Sequence, residues 1–141
     1  RIDPASGAND TVISSSSSQL LRGATASYSG AAQSGQPDAN ATKTGNSTTP
    51  NADVTVVAAN CWLVLVCNAN GGNVASGTNG TLRETMANDA TSEGIFDTNG
   101  TVGTGSQNIA GAASTGAWVA IGASIAPAVG GISGLQAKYW G

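Results

Sequence analysis

Turn residues interrupt this chain so often that no helical period survives at any length. Asn-Gly pairs stand at 70–71, 79–80 and 99–100, among 20 glycines and repeated Gly-Gly and Ser-Gly steps. Gly and Asn tolerate positive φ, so these pairs mark tight turns. Between them lie short runs with β-branched residues: 10–14 (DTVIS), 19–30, 52–58, 61–69, 81–88, 94–98, 106–114 and 117–126. Runs of this length at near-regular spacing predict an all-β chain, an antiparallel sandwich or barrel. Residues 84–93 (ETMANDATSE) have room for one helical turn at most.

Three stretches break the strand pattern. Residues 34–51 (SGQPDANATKTGNSTTPN) are polar with proline near both ends, and read as a long surface loop. The serine run 14–18 reads as an edge or a turn. Residues 129–141 follow Pro127, carry a Gly-Gly step at 130–131, and place Tyr139 and Trp140 just before the final glycine. The expected division is therefore a β-sandwich domain over 1–128 and a C-terminal tail over 129–141.

Both cysteines lie in CWLVLVC, residues 61–67, the most apolar stretch of the chain. A continuous apolar run reads as a central strand buried on both faces. Residues six apart on a straight strand share a face but lie about 20 Å from each other. A disulfide needs Cα atoms within roughly 7 Å, so Cys61 and Cys67 cannot pair within the strand. Small buried hydrophobes is the favoured reading, with an intermolecular disulfide as the alternative.

The composition narrows the chemistry. There is no His in the chain, which removes the usual general base and the Ser-His-Asp and Cys-His arrangements. Nothing in the spacing pairs any two of Asp38, Asp53, Glu84, Asp89, Glu93 and Asp97, which all read as lying at or near loops. Residues 97–101 (DTNGT) resemble the front of a calcium loop but lack its later ligands, and a hairpin turning at Asn99-Gly100 needs only those two residues. Charged residues make up 9 % of the chain and its five Lys and Arg are scattered singly, so no basic stripe exists for nucleic acid. No run approaches the ~20 apolar residues of a membrane span. No cofactor and no metal ligand set is expected. The sequons at Asn9, Asn40, Asn46, Asn79 and Asn99 are expected by chance in a chain this rich in Asn, Ser and Thr.

The aromatics divide. Trp62 and Trp118 sit inside apolar runs and read as core. Tyr139 and Trp140, with Leu135, stand on the Gly-linked tail and read as contacts with another subunit, where aromatics bury much area with few rotors.

The order of segments also carries a resemblance. It runs through PASGANDTVISSSSSQLLRGATASYSGAAQSGQPDA (4–39), ADVTVVAANCWLVLV (52–66), TLRETMAND (81–89), GIFDTNGTVGTGSQNIA (94–110) and AWVAIGASIAPA (117–128). The features are Tyr-Ser-Gly-Ala ahead of a QPDA loop, a late Asp-x-Asn-Gly, and a final Trp-x-Ala strand ending in Ala-Pro. In these the chain resembles jelly-roll-like β-sandwich domains of tailed-phage and prophage structural proteins and of bacterial surface proteins. The resemblance implies a structural or adhesive role with no catalytic residues to carry over. Such domains have several more strands ahead of the PASGAND-like segment. A chain without them, beginning at Arg1 with no apolar leader, is expected to be a processed product or part of a longer protein, or to be completed by strands of a neighbouring subunit.

These readings converge on a non-enzymatic structural subunit of a phage particle or extracellular surface fibre. Its expected partners are copies of itself or other structural subunits, with a virion or cell-surface location. The alternative is a carbohydrate- or receptor-binding module of a phage tail or adhesin, using the 34–51 loop against a cell-surface glycan.

Overall fold

The computed structural model describes residues 16–17, 23–87, 91–128 and 136–138. Among these described residues, ten strands account for the regular structure. They are β1 (Ser27–Ser29), β2 (Ala39–Ser47), β3 (Asn51–Val56), β4 (Trp62–Asn70) and β5 (Val74–Ser76), then β6 (Thr81–Ala87), β7 (Thr91–Asp97), β8 (Gly105–Ala113), β9 (Gly116–Ile125) and β10 (Gln136–Lys138). The expected all-β antiparallel sandwich is what forms. One sheet has the order β2-β9-β4-β7-β6, the facing sheet is β3-β8-β5, and β1-β10 is a separate two-stranded ribbon.

The connectivity is nested. β2 pairs with β9, β3 with β8 and β4 with β7, all antiparallel. Inside them β5 meets β6 across a tight turn, where Gly77 and Gly80 bridge and the Leu82 amide donates to Ser76 Oγ at 2.9 Å. One long hairpin folded over itself gives this pattern. Asn79 takes φ 58° in the β5–β6 turn, and Gly71 and Gly72 take φ 105° and 91° between β4 and β5. One residue of each Asn-Gly pair thus takes positive φ: Gly71, Asn79 and Asn99.

The core lies between the sheets. β3 supplies Ala52, Val54 and Val56, β4 supplies Leu63, Leu65, Cys67 and Ala69, and Cys61, Phe96, Ile109, Trp118 and Ala120 complete it. Each fully buried large side chain contributes about 1.5–3 kcal/mol by leaving water. Phe96 is fully buried in a slot walled by glycine. A Cβ on Gly111 of β8 would stand 2.7 Å from its ring, and one on Gly94 of β7 2.6 Å. Gly45 of β2 likewise makes room for Trp118, whose indole N–H donates to Ser47 Oγ at 3.0 Å.

Several expectations are corrected. Residues 39–47 of the expected loop are strand β2, whose nine residues pair in unbroken register with β9. The polar, Thr-rich sequence there suits an edge strand with few buried side chains. Residues 84–93 hold no helical turn where described, because β6 runs to Ala87 and β7 starts at Thr91. β4 is central as expected, but not buried on both faces: Leu63 and Leu65 are fully buried while Val66 is 47 % exposed. Asp53, Glu84 and Glu93 lie inside strands rather than at loops. Asn99-Gly100 does not close a hairpin, because the chain crosses there from β7 in one sheet to β8 in the other. The pairing of β6 with β7 is interrupted by a bulge between Leu82 and Glu84. Of the strand expected over 19–30, residues 27–29 form β1 and 23–26 are irregular. The expected strand over 10–14 and most of the serine run lie outside the described residues.

Candidate functional site

Antiparallel partners present their side chains to the same face, so the register shows which residues share the outer face of the five-stranded sheet. One row across it is Thr42, Ile121, Val66, Ile95 and Glu84. The next is Thr44, Val119, Asn68, Glu93 and Met86. In the middle of these rows Val66, Val119 and Ile121 are 47 %, 47 % and 52 % exposed. Three β-branched apolar side chains on adjacent central strands form one exposed patch, bounded by Thr42 and Thr44 on one side. On the other side Glu93 is held by Asn68 Nδ2 at 3.2 Å.

Further along the same face the ribbon covers the sheet. Tyr28 of β1 lies edge-on to Trp62, ring centroids 6.0 Å apart, and its hydroxyl donates to Asp97 at 3.3 Å. Trp62 is therefore buried as expected, but beneath β1 rather than between the sheets. Asp97 is fully buried and its Oδ1 lies 2.7 Å from Arg83 Nη2. The same oxygen accepts from Arg83 Nε and from the Asn99 amide, each at 2.8 Å. Arg83 also donates to Asn99 Oδ1. The β6 bulge supplies the extra residue that aims Arg83 at this carboxylate.

A second polar cluster closes one end of the sandwich. Asp38, just ahead of β2, accepts from the amides of Val57 at 2.9 Å and Ala58 at 3.1 Å and from Ser124 Oγ at 3.1 Å. Those partners come from the ends of β3 and β9, so one carboxylate joins both sheets. Burial pulls the Asp38 pKa up, but the two amides and the Ser124 and Cys61 side chains outweigh it, leaving it below the ordinary value. Cys61 Sγ lies 3.7 Å from Asp38 and 3.1 Å from the Ala58 carbonyl. Burial, then the Asp38 carboxylate, pushes the Cys61 thiol up to about 11. Burial pushes Cys67 up to about 11 as well. Both cysteines are free and buried, as the packing reading requires.

The third cluster sits at the β2–β3 corner. Lys43 Nζ lies 2.6 Å from Asn51 Oδ1 and 3.0 Å from Asp53 Oδ2, and Asn108 Nδ2 donates to Asp53 at 2.7 Å. The Asn108 and Lys43 hydrogen bonds hold Asp53 below its ordinary pKa. Lys43 and Asp53 are half exposed, so the pair adds little stability.

Each of these carboxylates is engaged by donors that join strands, and no two of Asp38, Asp53 and Asp97 share a cluster. Among the described residues no three or more His, Cys, Asp or Glu stand where they would hold a metal ion. Among the described residues no helix is long and apolar enough to cross a membrane. Leu135, Tyr139 and Trp140 lie outside the described residues. The strand between them, β10, pairs with β1 of the same chain. The patch at Val66, Val119 and Ile121 was not legible beforehand, because an unbroken apolar run does not reveal which of its faces is covered. Comparison with protein-family models, curated proteins and solved structures finds no match for this chain.

Proposed function

We propose that this chain is a non-enzymatic structural subunit, associating with copies of itself or with other structural subunits in a phage particle or an extracellular surface fibre. The observation that carries the reading is the outer face of the five-stranded sheet. Val66, Val119 and Ile121 are about half exposed at its centre. A contiguous apolar patch on adjacent strands marks an association surface more often than scattered single residues do. The nested strand pairing supports a jelly-roll-like reading of the sandwich. A glycan-binding reading is less supported, because the loop it relied on is largely strand β2.

Native mass by light scattering, with negative-stain imaging, tests the proposal. Regular particles or filaments are the expected result, weakened by V66T together with I121T. A monomer at every concentration overturns it.

A further inference from the structure

Asparagine followed by glycine is chemically labile as well as turn-forming. The glycine amide nitrogen can attack the asparagine Cγ, and no side chain on the glycine hinders its approach. The chain carries three such pairs, at 70–71, 79–80 and 99–100, and all three asparagines are exposed. Exposure therefore does not separate them. They differ in how firmly the fold holds the peptide group that must turn for the ring to close.

Two of the pairs are pinned on both sides. In the β5–β6 turn the Gly77 amide donates to Gly80 O at 2.8 Å, and the Ala110 amide of β8 donates to Thr78 O at 3.2 Å. Asn79 itself bridges to Ala110, and Gly80 is buried so closely against Ala110 that a Cβ there would clash with its carbonyl. After β7 the Asn99 amide donates to Asp97 Oδ1 at 2.8 Å, and the Asn99 side-chain oxygen accepts from Arg83 Nη2. Thr98 Oγ1 donates to Gly100 O at 2.7 Å, which fixes the glycine of that pair too.

The third pair is held on its N-terminal side alone. Asn70 is the last residue of β4 and stands opposite Thr91 at the end of the ladder with β7. Its carbonyl lies against the start of β9, where a Cβ on Gly116 would come within 2.6 Å of it. Beyond it Gly71 and Gly72 take φ 105° and 91°, and the chain is next held at Asn73, whose carbonyl accepts from the Ser114 amide at 3.1 Å. Among the described residues the Asn70 side chain has no hydrogen-bond partner. Fraying of a terminal strand residue beside two glycines is among the least costly openings of a sheet.

We infer that Asn70 is a spontaneous modification site, the Asn-Gly pair that this fold leaves able to convert to aspartate and β-aspartate without an enzyme. The Gly71 nitrogen bonds to Asn70 Cγ, the Cγ–Nδ2 bond breaks, and ammonia leaves with the proton of the Gly71 amide. Water then opens the cyclic imide. Attack at Cγ restores the ordinary backbone with an aspartate side chain, and attack at the backbone carbonyl leaves the chain running through Cγ. Either product adds a negative charge to a chain whose net charge is already −3. Asn70 alternates with the buried Ala69 and Cys67, so it shares the outer face of β4 with Val66 and Asn68. The new carboxylate thus stands at one end of the open face.

Peptide mapping by mass spectrometry tests this on the full wild-type chain aged at mildly alkaline pH, with the same chain aged in urea as reference. In urea the three pairs should convert at similar rates, because each reacts through the same local sequence. In the folded chain the Asn70 peptide should gain one mass unit at least ~10-fold faster than the Asn79 and Asn99 peptides, with β-aspartate found at position 70. Asn70→Gln should abolish that fast conversion and leave the other two pairs at their slow native rates. Conversion of Asn79 or Asn99 first, or equal native rates at all three, overturns the inference. So does an Asn70 that stays intact in the folded chain while the urea-unfolded chain converts.

Discussion

Arg83 and Asp97 form an ion pair at 2.7 Å in which the carboxylate is completely buried and the guanidinium nearly so. A buried pair of this kind contributes little net energy when intact, but breaking it strands a charge. Arg83→Met should therefore cost about 3–5 kcal/mol, read as a fall in the urea midpoint. Adding Asp97→Asn should recover part of that loss, giving a coupling of about 0.5–3 kcal/mol in a double-mutant cycle. Additive losses would mean that the pair does not act as a unit.

Asp38 gives the fold an acid-sensitive joint. Its folded pKa lies below the ordinary 3.8, so the unfolded chain takes up the proton first as pH falls. Its contribution is complete above the unfolded value and is lost as pH drops through the folded one. Asp38→Ala should cost roughly 1–3 kcal/mol at pH 7. The gap between variant and wild type should narrow below about pH 4. Urea midpoints at a series of pH values measure it, and a gap that is constant with pH would show that the carboxylate's charge is not what joins the sheets.

Phe96 fills a slot that leaves no room for a methyl group on Gly111. Gly111→Ala should cost about 1–3 kcal/mol through overpacking. Phe96→Leu in the same chain should relieve part of that cost, so the two substitutions together lose less than their sum. Thermal melts of the four proteins decide this.

Both thiols are held near 11, so little thiolate exists at pH 8. A thiol-reactive disulfide reagent should label the native chain more than ~100-fold more slowly than the denatured chain. Rapid labelling of the native protein would mean that the β4 end opens readily.

Ser92 is fully buried and, among the described residues, its hydroxyl has no hydrogen-bond partner. Ser92→Ala removes a desolvated polar atom at no cost in contacts. It should leave stability unchanged or raise it by up to about 1 kcal/mol, measured by urea titration. A loss above that range would reveal a partner for the hydroxyl.

The exposed patch shows where sequence pattern stops being informative. Leu63 and Leu65 are buried while Val66 stands half exposed, although all belong to one apolar run. β2 shows the converse. Residues 39–47 lack the apolar alternation that marks a strand, yet they form one because β9 offers a free edge. Edge strands gain from backbone pairing more than from side-chain burial. Asn99-Gly100 is a turn, as expected, but which strands a turn joins is not encoded in the turn itself.

The sequence by itself determined the fold class, the Asn-Gly positions at which the chain turns, and the buried placement of the cysteines. These are local properties: glycine and asparagine tolerate the positive φ that tight turns require, and two thiols six residues apart on a strand cannot meet. Only the tertiary structure decided that β2 joins the sheet, that Arg83 reaches Asp97 through a bulge, that Trp62 lies under β1, and that Val66, Val119 and Ile121 share an open face. Each of these depends on which strands become neighbours. That choice is made by the closing of two sheets over one core, through contacts between residues far apart in the chain.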